Sequence, residues 1–323
     1  MPIGKDRYVA ENFADRLLKA IKDKKTPTVI AIDPVYDQLP VGLVEHRDLN
    51  DEFDVEAALD AVLEFCRRVI RIVAPLVPAV KINSACFERY YDEGIEGYYE
   101  LVQEASASNL IVIGDVKRGD VGHTAELYAR AHLADADFVD LDDQVAPDAV
   151  TVNGYFGLDG VKPFIDVACD QGKGVFVLVR TSNESAASIQ DIVTQDGRKF
   201  HQVIAAEVAN WAADPQAIGK RGYSAVGAVA GTRNPEDAAK LRAAMPQSIF
   251  LVPGFGAQGG TVEDCRPYFK SDGSGAIIVA GRSVIYAHQQ PKYAEQFAAD
   301  WEKCVEQACR DFVADLAPLA RIG

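Results

Sequence analysis

The sequence predicts a single (β/α)8 barrel, and three observations support this prediction. Eight short apolar runs, rich in β-branched residues, recur along the 323 residues, and a segment of helical character follows each run. The runs are apolar almost throughout, as is typical of strands buried on both faces of a parallel sheet. Each run ends in polar residues or glycine, and eight such units in this length favour a closed barrel over a doubly wound open sheet.

The predicted strands alternate with amphipathic segments in regular order. The strands are residues 28–33, 77–82, 110–115, 149–153, 175–181, 225–230, 249–253 and 276–280. Residues 55–73 and 235–244 have the helical spacing of apolar side chains, and residues 293–316 predict a closing helix that packs its stripe on the core. The acidic segments 45–56 and 134–143 are expected to be solvated loops. No linker-like segment divides the chain, so we expect one domain over residues 1–323.

Composition excludes several classes of partner. The net charge is −15 and the pI is about 4.8, whereas a nucleic-acid surface needs clustered Lys and Arg. The six cysteines contain no C-x-x-C pair and the N-terminus has no apolar signal core, which predicts a cytoplasmic location. No apolar stretch reaches the roughly 18 residues of a membrane helix. We therefore expect a soluble protein without nucleic-acid or membrane partners.

Charged residues follow the early strands where those strands end. Asp115 ends the third strand and Lys117 and Asp120 follow it, Lys81 lies at the end of the second, and Asp33 ends the first. In a barrel these ends meet at the mouth, where the active sites of this fold lie. One such cluster could be an exposed ion network that caps a strand. Charges on adjacent strands favour a site, and an ammonium among carboxylates suits proton donation to a carbanion.

The late strands carry a different pattern. A glycine-rich segment, residues 253–260, follows the seventh strand, and Gly281 and Arg282 follow the eighth. Loops in these two positions often hold a phosphate through backbone N–H groups, and an arginine adds a bidentate cation. A tight turn explains the glycines equally well when the segment is considered alone. The strand count is what favours a phosphorylated substrate.

Metal and cofactor chemistry are not predicted. The five histidines are scattered and have no metal-ligand spacing with Cys, Asp or Glu, so we assign no metal. The sequence lacks a G-x-S-x-G elbow. The glycine pair at Gly254 and Gly256 does not open an early βαβ unit.

At these residues the chain resembles a known family. Residues 115–125 read D-V-K-R-G-D-V-G-H-T-A, which is similar to the D-x-K-x-x-D signature of orotidine 5′-phosphate decarboxylases, in their longer bacterial branch. Further similarity lies at residues 32–34, 151–153, 180–183 and 253–259, and at Lys81 with Asn83. Departures are Ala31 in place of a usual glycine, Ile82 in place of a frequent proline, and Ala280-Gly281 where serine more often precedes the arginine.

The resemblance implies a cofactor-free lyase that converts orotidine 5′-monophosphate to uridine 5′-monophosphate. Its catalytic charges would be Lys81, Asp115, Lys117 and Asp120, with Lys117 as the proton donor to C6. It further implies a homodimer with shared sites, in which each subunit's Asp120 and Thr124 serve the partner's site. The other implied substrate contacts are Asp33 to a ribose hydroxyl, Ser182 to the pyrimidine, and to the phosphate Gln258, Gly281 and Arg282.

Two alternative functions remain. Hexulose-phosphate synthases and ketogulonate-phosphate decarboxylases resemble this chain but use Mg²⁺ and have a carboxylate in place of the strand-two lysine. Lys81 argues against them, because a cation there repels a metal. A nucleotide sensor that has lost its chemistry is the second alternative, and the intact charge array argues against it. Residues 181–195 and 254–262 are the predicted lids.

Overall fold

Eight parallel strands close into a barrel in chain order, each pairing with the next and β8 with β1. The computed structural model describes residues 10–44, 55–138, 141, 144–231, 234–255, 260–298 and 300–319. The predicted fold class is confirmed. The strands are β1 (Thr28–Ile32), β2 (Ala79–Asn83), β3 (Ile111–Arg118), β4 (Ala149–Val152), β5 (Gly174–Arg180), β6 (Val226–Ala230), β7 (Phe250–Val252) and β8 (Ala276–Ala280).

The helices after α1 follow the strands and pack on the outside of the barrel. None of the described helices is both long enough and apolar enough to span a membrane. The helices are α1 (Phe13–Lys24), α2 (Val41–Val44), α3 (Val55–Val73), α4 (Ala85–Glu88), α5 (Tyr91–Ala107), α6 (Gly122–His132), α7 (Leu158–Gln171), α8 (Ala186–Gln190), α9 (Phe200–Ala212), α10 (Pro235–Ala244), α11 (Val262–Cys265), α12 (Arg282–Ile285), α13 (Pro291–Gln296) and α14 (Trp301–Leu316).

The strands bury both faces, in two separate cores. Because successive side chains of a strand alternate in direction, one set points into the barrel and the other packs against the helices. Ile30, Val80 and Val112 belong to the outer core. Val29 and Ile113 belong to the inner core. This double burial explains why the strands are apolar almost throughout.

Helix α1 closes the barrel at the amino ends of the strands. Its apolar face, including Phe13 and Leu17, belongs to the inner core together with Phe176 of β5. The rings of Phe13 and Phe176 meet edge to face with centroids 5.8 Å apart. Gly174 makes room for this contact, since a Cβ there would lie 2.2 Å from Phe13 Cδ1.

The prediction of one closing helix over residues 293–316 is wrong, because the segment forms α13 and α14. Ala298 between them has φ 50°, and Asp300 caps α14 by accepting a hydrogen bond from Lys303 N. The predicted packing of the stripe is confirmed at Cys304, Ala308 and Phe312, which are buried. Of the two acidic segments, residues 45–54 lie outside the described residues, as do 139, 140, 142 and 143.

Candidate active site

A cavity of about 440 Å³ opens at the carboxyl ends of the strands. Its apolar wall comes from inward-facing residues of the later strands, Leu178, Val229, Leu251 and Val279. Its polar side comes from the early strands and consists of Asp33, Lys81, Asp115, Lys117 and Thr151. The cavity therefore has an apolar half and a charged half.

The position of Lys81 follows from strand register. Its Cα is level with Ala31 of β1 and Ile113 of β3. Asp33 and Asp115 lie two residues further along those chains, one inward-facing layer nearer the mouth. The Lys81 side chain therefore extends between two carboxylates, with its Nζ 3.3 Å from Asp33 Oδ1 and 2.5 Å from Asp115 Oδ2.

Electrostatics keep this buried pair ionised. Burial by itself lowers the pKa of Lys81, but the carboxylates of Asp33 and Asp115 outweigh it and the pKa is raised. Burial likewise opposes ionisation of Asp115, yet Lys81 and Lys117 lower the pKa of that carboxyl to about 2. At neutral pH the cavity thus holds a buried carboxylate with an ammonium bound to each oxygen.

Lys117 reaches the same carboxylate from an irregular part of β3. The β3–β4 register shifts between Gly114 and Arg118, and Lys117 has φ 46°, a conformation that a lysine rarely adopts. Its Nζ lies 2.5 Å from Asp115 Oδ1. The prediction that these two side chains share one face is confirmed, although the backbone between them is not a regular strand.

Thr151 of β4 supports both residues, and no role was predicted for it from the sequence. Its hydroxyl accepts a hydrogen bond from Lys117 N at 3.0 Å and donates one to Asp115 Oδ1 at 2.9 Å. The hydroxyl thereby satisfies a backbone N–H at the register shift. The sequence did offer one signal for Thr151. It lies two residues after Ala149 and therefore points inward, in the same layer of the barrel as the charged side chains.

Other proposed substrate contacts surround the cavity. Asp33, Ser182, Gly281 and Arg282 line it. Arg282 is exposed, and no hydrogen bond or ion pair within the described part of the chain engages its guanidinium. Gln258 lies outside the described residues. The lining also includes residues without a predicted role, Asn83, Thr181 and Asn183.

Asp120 and Thr124 do not line this cavity. Asp120 accepts a hydrogen bond from Val121 N at 2.8 Å, and Thr124 is exposed on α6. No ion pair joins Asp120 to Lys117 within the described residues of one chain. Two lysines and one aspartate of the proposed catalytic set therefore converge, and the second aspartate lies apart.

Comparison with known proteins identifies the family. The sequence model of the "Orotidine 5′-phosphate decarboxylase / HUMPS family" matches residues 51–297. The chain belongs to this family. The family's orotidine 5′-phosphate decarboxylase from Rhodopirellula baltica is 38% identical over 302 residues, which cover 92% of this chain and 96% of that one. The protein of the same name from Caldicellulosiruptor bescii is 36% identical over 293 residues, covering 90% and 93%.

Solved structures agree with this family assignment at the level of the fold. A Streptomyces avermitilis structure is 26% identical, with a TM-score of 0.73 and coverage of 99% of both chains. Leishmania donovani OMP decarboxylase is 24% identical, with a TM-score of 0.68 and coverage of 96% of this chain and 99% of that one. Within the described residues, no group of three or more His, Cys, Asp or Glu could hold a metal ion.

Proposed function

We propose that this chain is an orotidine 5′-phosphate decarboxylase, which converts orotidine 5′-monophosphate to uridine 5′-monophosphate and CO₂ in pyrimidine biosynthesis. The observation that carries the proposal is Asp115, buried in the cavity with Lys81 and Lys117 each 2.5 Å from one of its oxygens. Such an array is organised before substrate binds and suits a reaction whose difficulty is a localised negative charge. We extend the proposal to residues 1–323 as one cytoplasmic barrel domain.

Decarboxylation breaks the bond between C6 and the carboxylate carbon, and its electron pair stays on C6. No π-system delocalises that pair, so the surrounding charges must stabilise it. In the proposed mechanism Lys117 Nζ donates a proton to C6 and later regains one from water. Asp115 faces the departing carboxylate, and Lys81 holds Asp115 in place through their 2.5 Å contact. No cofactor or metal takes part.

Phosphate and ribose contacts complete the proposed binding mode. Arg282 and the backbone at Gly281 line the cavity and would grip the phosphate together with Gln258. Asp33 would bind a ribose hydroxyl, and Ser182 would contact the pyrimidine. Within the described residues the guanidinium of Arg282 has no hydrogen-bond or ion-pair partner, which supports this arrangement because such an arginine is available to an anion.

A dimer with shared active sites is the further part of the proposal. Asp120 and Thr124 lie outside their own cavity, beside exposed apolar side chains. These exposed side chains are Val121, Leu127, Tyr155, Phe156 and Leu158. Phe156 lies next to Asp120, since a Cβ added at Gly160 would be 2.9 Å from Phe156 Cβ and 2.8 Å from Asp120 O. An apolar patch around two displaced polar residues supports a partner subunit there, whose cavity Asp120 and Thr124 would complete.

A spectrophotometric assay with orotidine 5′-monophosphate tests the proposed activity. We expect conversion by purified protein, both before and after exhaustive chelation. Absence of conversion by folded protein that still binds uridine 5′-monophosphate would leave the nucleotide sensor as the function. Loss of activity on chelation with recovery on adding Mg²⁺ would favour the metal-dependent branch of the family, which Lys81 argues against.

A further inference from the structure

The segment after β5 folds back on itself through one side chain. Gln190, at the end of α8, accepts a hydrogen bond from Thr181 N at 2.9 Å and donates one to Thr181 Oγ1 at 2.8 Å. Thr181 Oγ1 in turn donates to Asn183 Oδ1 at 2.5 Å. Thr181, Ser182 and Asn183 line the cavity, whereas Gln190 does not. Within the described residues, Gln190 therefore reaches the cavity through this three-residue wall.

Gln190 is itself anchored to the barrel. Arg180, the last residue of β5, donates from Nη1 to Gln190 Oε1 at 3.2 Å and to Thr181 O at 2.7 Å. Its Nη2 donates to Asp191 Oδ2 at 3.2 Å. His201 of α9 is fully buried beside them, with Nδ1 2.9 Å from Gln190 O and 3.1 Å from Asp191 Oδ1. Both neighbours are acceptors, so Nδ1 carries the proton.

Ser182 is held in place by its backbone rather than by its own hydroxyl. Gln190 fixes the preceding residue, Thr181. Gly231 packs closely against Ser182, since a Cβ added at Gly231 would lie 3.1 Å from both the N and the Cβ of Ser182. Gly231 N also donates to Arg180 O at 2.6 Å. No hydrogen bond within the described residues engages the Ser182 hydroxyl, which leaves it available at the cavity wall.

We propose that Gln190 is a positioning residue for recognition of the pyrimidine ring, acting by fixing Thr181 and thereby Ser182. The proposal rests on the proposed function, in which Ser182 contacts the ring. An amide suits the task because it accepts from one group of Thr181 and donates to another. Glutamate keeps only the acceptor, and alanine keeps neither. The proposed phosphate contacts at Gly281 and Arg282 lie after β8, and within the described residues no hydrogen bond joins them to this wall.

Binding of two ligands separates the positioning role from a general structural one. Uridine 5′-monophosphate carries the ring, whereas ribose 5-phosphate keeps only the sugar and phosphate. We expect Gln190→Ala to weaken binding of the nucleotide about tenfold, as for the loss of one well-placed hydrogen bond. Binding of ribose 5-phosphate should change less than about twofold. Gln190→Glu should have an intermediate effect and covers the case in which the alanine variant does not fold.

Gln195→Ala is the matched control, because Gln195 belongs to the same segment and is exposed, with no hydrogen bond to any described residue. It should leave both affinities unchanged. A double-mutant cycle with Ser182→Ala adds a second readout. In the Ser182→Ala background, Gln190→Ala should weaken binding of uridine 5′-monophosphate little further, because both substitutions act on the contact between Ser182 and the ring.

Two results would overturn the inference. One is an equal loss of affinity for both ligands, which would mean that Gln190 supports the fold of the whole cavity. The other is full additivity of the two substitutions, which would mean that Gln190 does not act through Ser182. If the wild-type enzyme is active, either result leaves the proposed function intact. If the wild-type protein does not decarboxylate orotidine 5′-monophosphate, the proposed function itself is wrong.

Discussion

Lys81 and Lys117 bind one carboxylate but differ in their access to solvent. The side chain of Lys81 is 7% exposed and that of Lys117 is 48% exposed. A proton donor must regain its proton after each turnover, which requires contact with water or substrate. Lys117 meets this requirement, and Lys81 is placed to hold Asp115 and to contribute fixed positive charge.

Lys117→Ala should therefore abolish turnover while ligands of the phosphate grip still bind. Loss of a general acid alone lowers rates by about 10²–10⁴-fold, and loss of a charge next to the carbanion adds to this. Steady-state assays and titration with uridine 5′-monophosphate measure the two effects. A variant that keeps near wild-type kcat would show that another group protonates C6.

Arg282→Ala should act on binding more than on the chemical step. The guanidinium lines the cavity after β8, three strands around the barrel from Lys117 on β3. We expect KM to rise and kcat/KM to fall by about 2 kcal/mol or more, as for loss of a charged contact in a closed site. An unchanged KM would show that the phosphate binds elsewhere.

Asp115 should make stability depend on acid pH. Its folded pKa, about 2, lies below the ordinary 3.8, so the ionised form favours the folded state. This contribution to the free energy of unfolding is complete above about pH 4 and is lost as the pH falls through about 2. Because one pKa unit corresponds to about 1.4 kcal/mol, the contribution amounts to about 2 kcal/mol. Urea unfolding of the wild type and of Asp115→Asn should show a difference in unfolding free energy that shrinks as the pH falls through this range. A difference that does not change with pH would contradict this assignment of the stability to the ionised carboxylate.

At the scale of elements, α1 and the early strands serve different ends of the barrel. Gly174→Ala should disturb only the closed end, since the added Cβ would lie 2.2 Å from the Phe13 ring. Overpacking of a buried ring costs about 1–3 kcal/mol. We expect a lower unfolding free energy with kcat/KM unchanged. Gly42→Ala is the matched control, because nothing lies within 4 Å of its added Cβ; equal effects of the two substitutions would argue against the clash.

The strands could be predicted to within a few residues because double burial leaves an unambiguous apolar signal. The break between α13 and α14 could not, because the apolar stripe continues across it. Phe297 and Trp301 lie on either side of the break and both pack against the core. What divides them is the left-handed backbone at Ala298 and the cap at Asp300, which depend on local geometry.

The charged half of the cavity could be predicted from alternation at strand ends, and the same alternation points Thr151 inward, but its role as the acceptor for Lys117 N could not be predicted. That role depends on the shifted register between β3 and β4, which turns Lys117 N towards the hydroxyl. Nothing in the sequence of either strand reveals how the two align. The network around Gln190 was missed for a similar reason, because the sequence does not show that the segment after β5 turns back and brings α8 against Thr181.

At the scale of the whole molecule, the position of Asp120 makes a single chain incomplete under the proposed function. Lys117→Ala and Asp120→Ala should each be inactive as homodimers. After the two are mixed, unfolded and refolded together, about half of the dimers should be mixed, and one site in each should carry neither substitution. About a quarter of all sites should then be active, as expected for an isologous pair.

Tagged subunits isolate the mixed dimers, so that their formation is measured separately from activity. Refolded wild type and each variant refolded alone provide the controls for recovery. If isolated mixed dimers are as inactive as their parents, Asp120 acts within its own subunit. The apolar patch that includes Tyr155 and Phe156 would then need another explanation.

The backbone of Lys117 has a consequence for how this protein can be changed. Lys25 and Asn109 also have positive φ, but they end helices, where such residues are common. Lys117 adopts φ 46° inside a strand, at a cost of about 1–2 kcal/mol for a residue with a Cβ. Glycine at this position would remove the strain together with the ammonium. Where this relief outweighs the loss of the Lys117–Asp115 ion pair, a laboratory selection for heat resistance alone rewards loss of the proposed proton donor, so such a selection needs turnover as a second criterion.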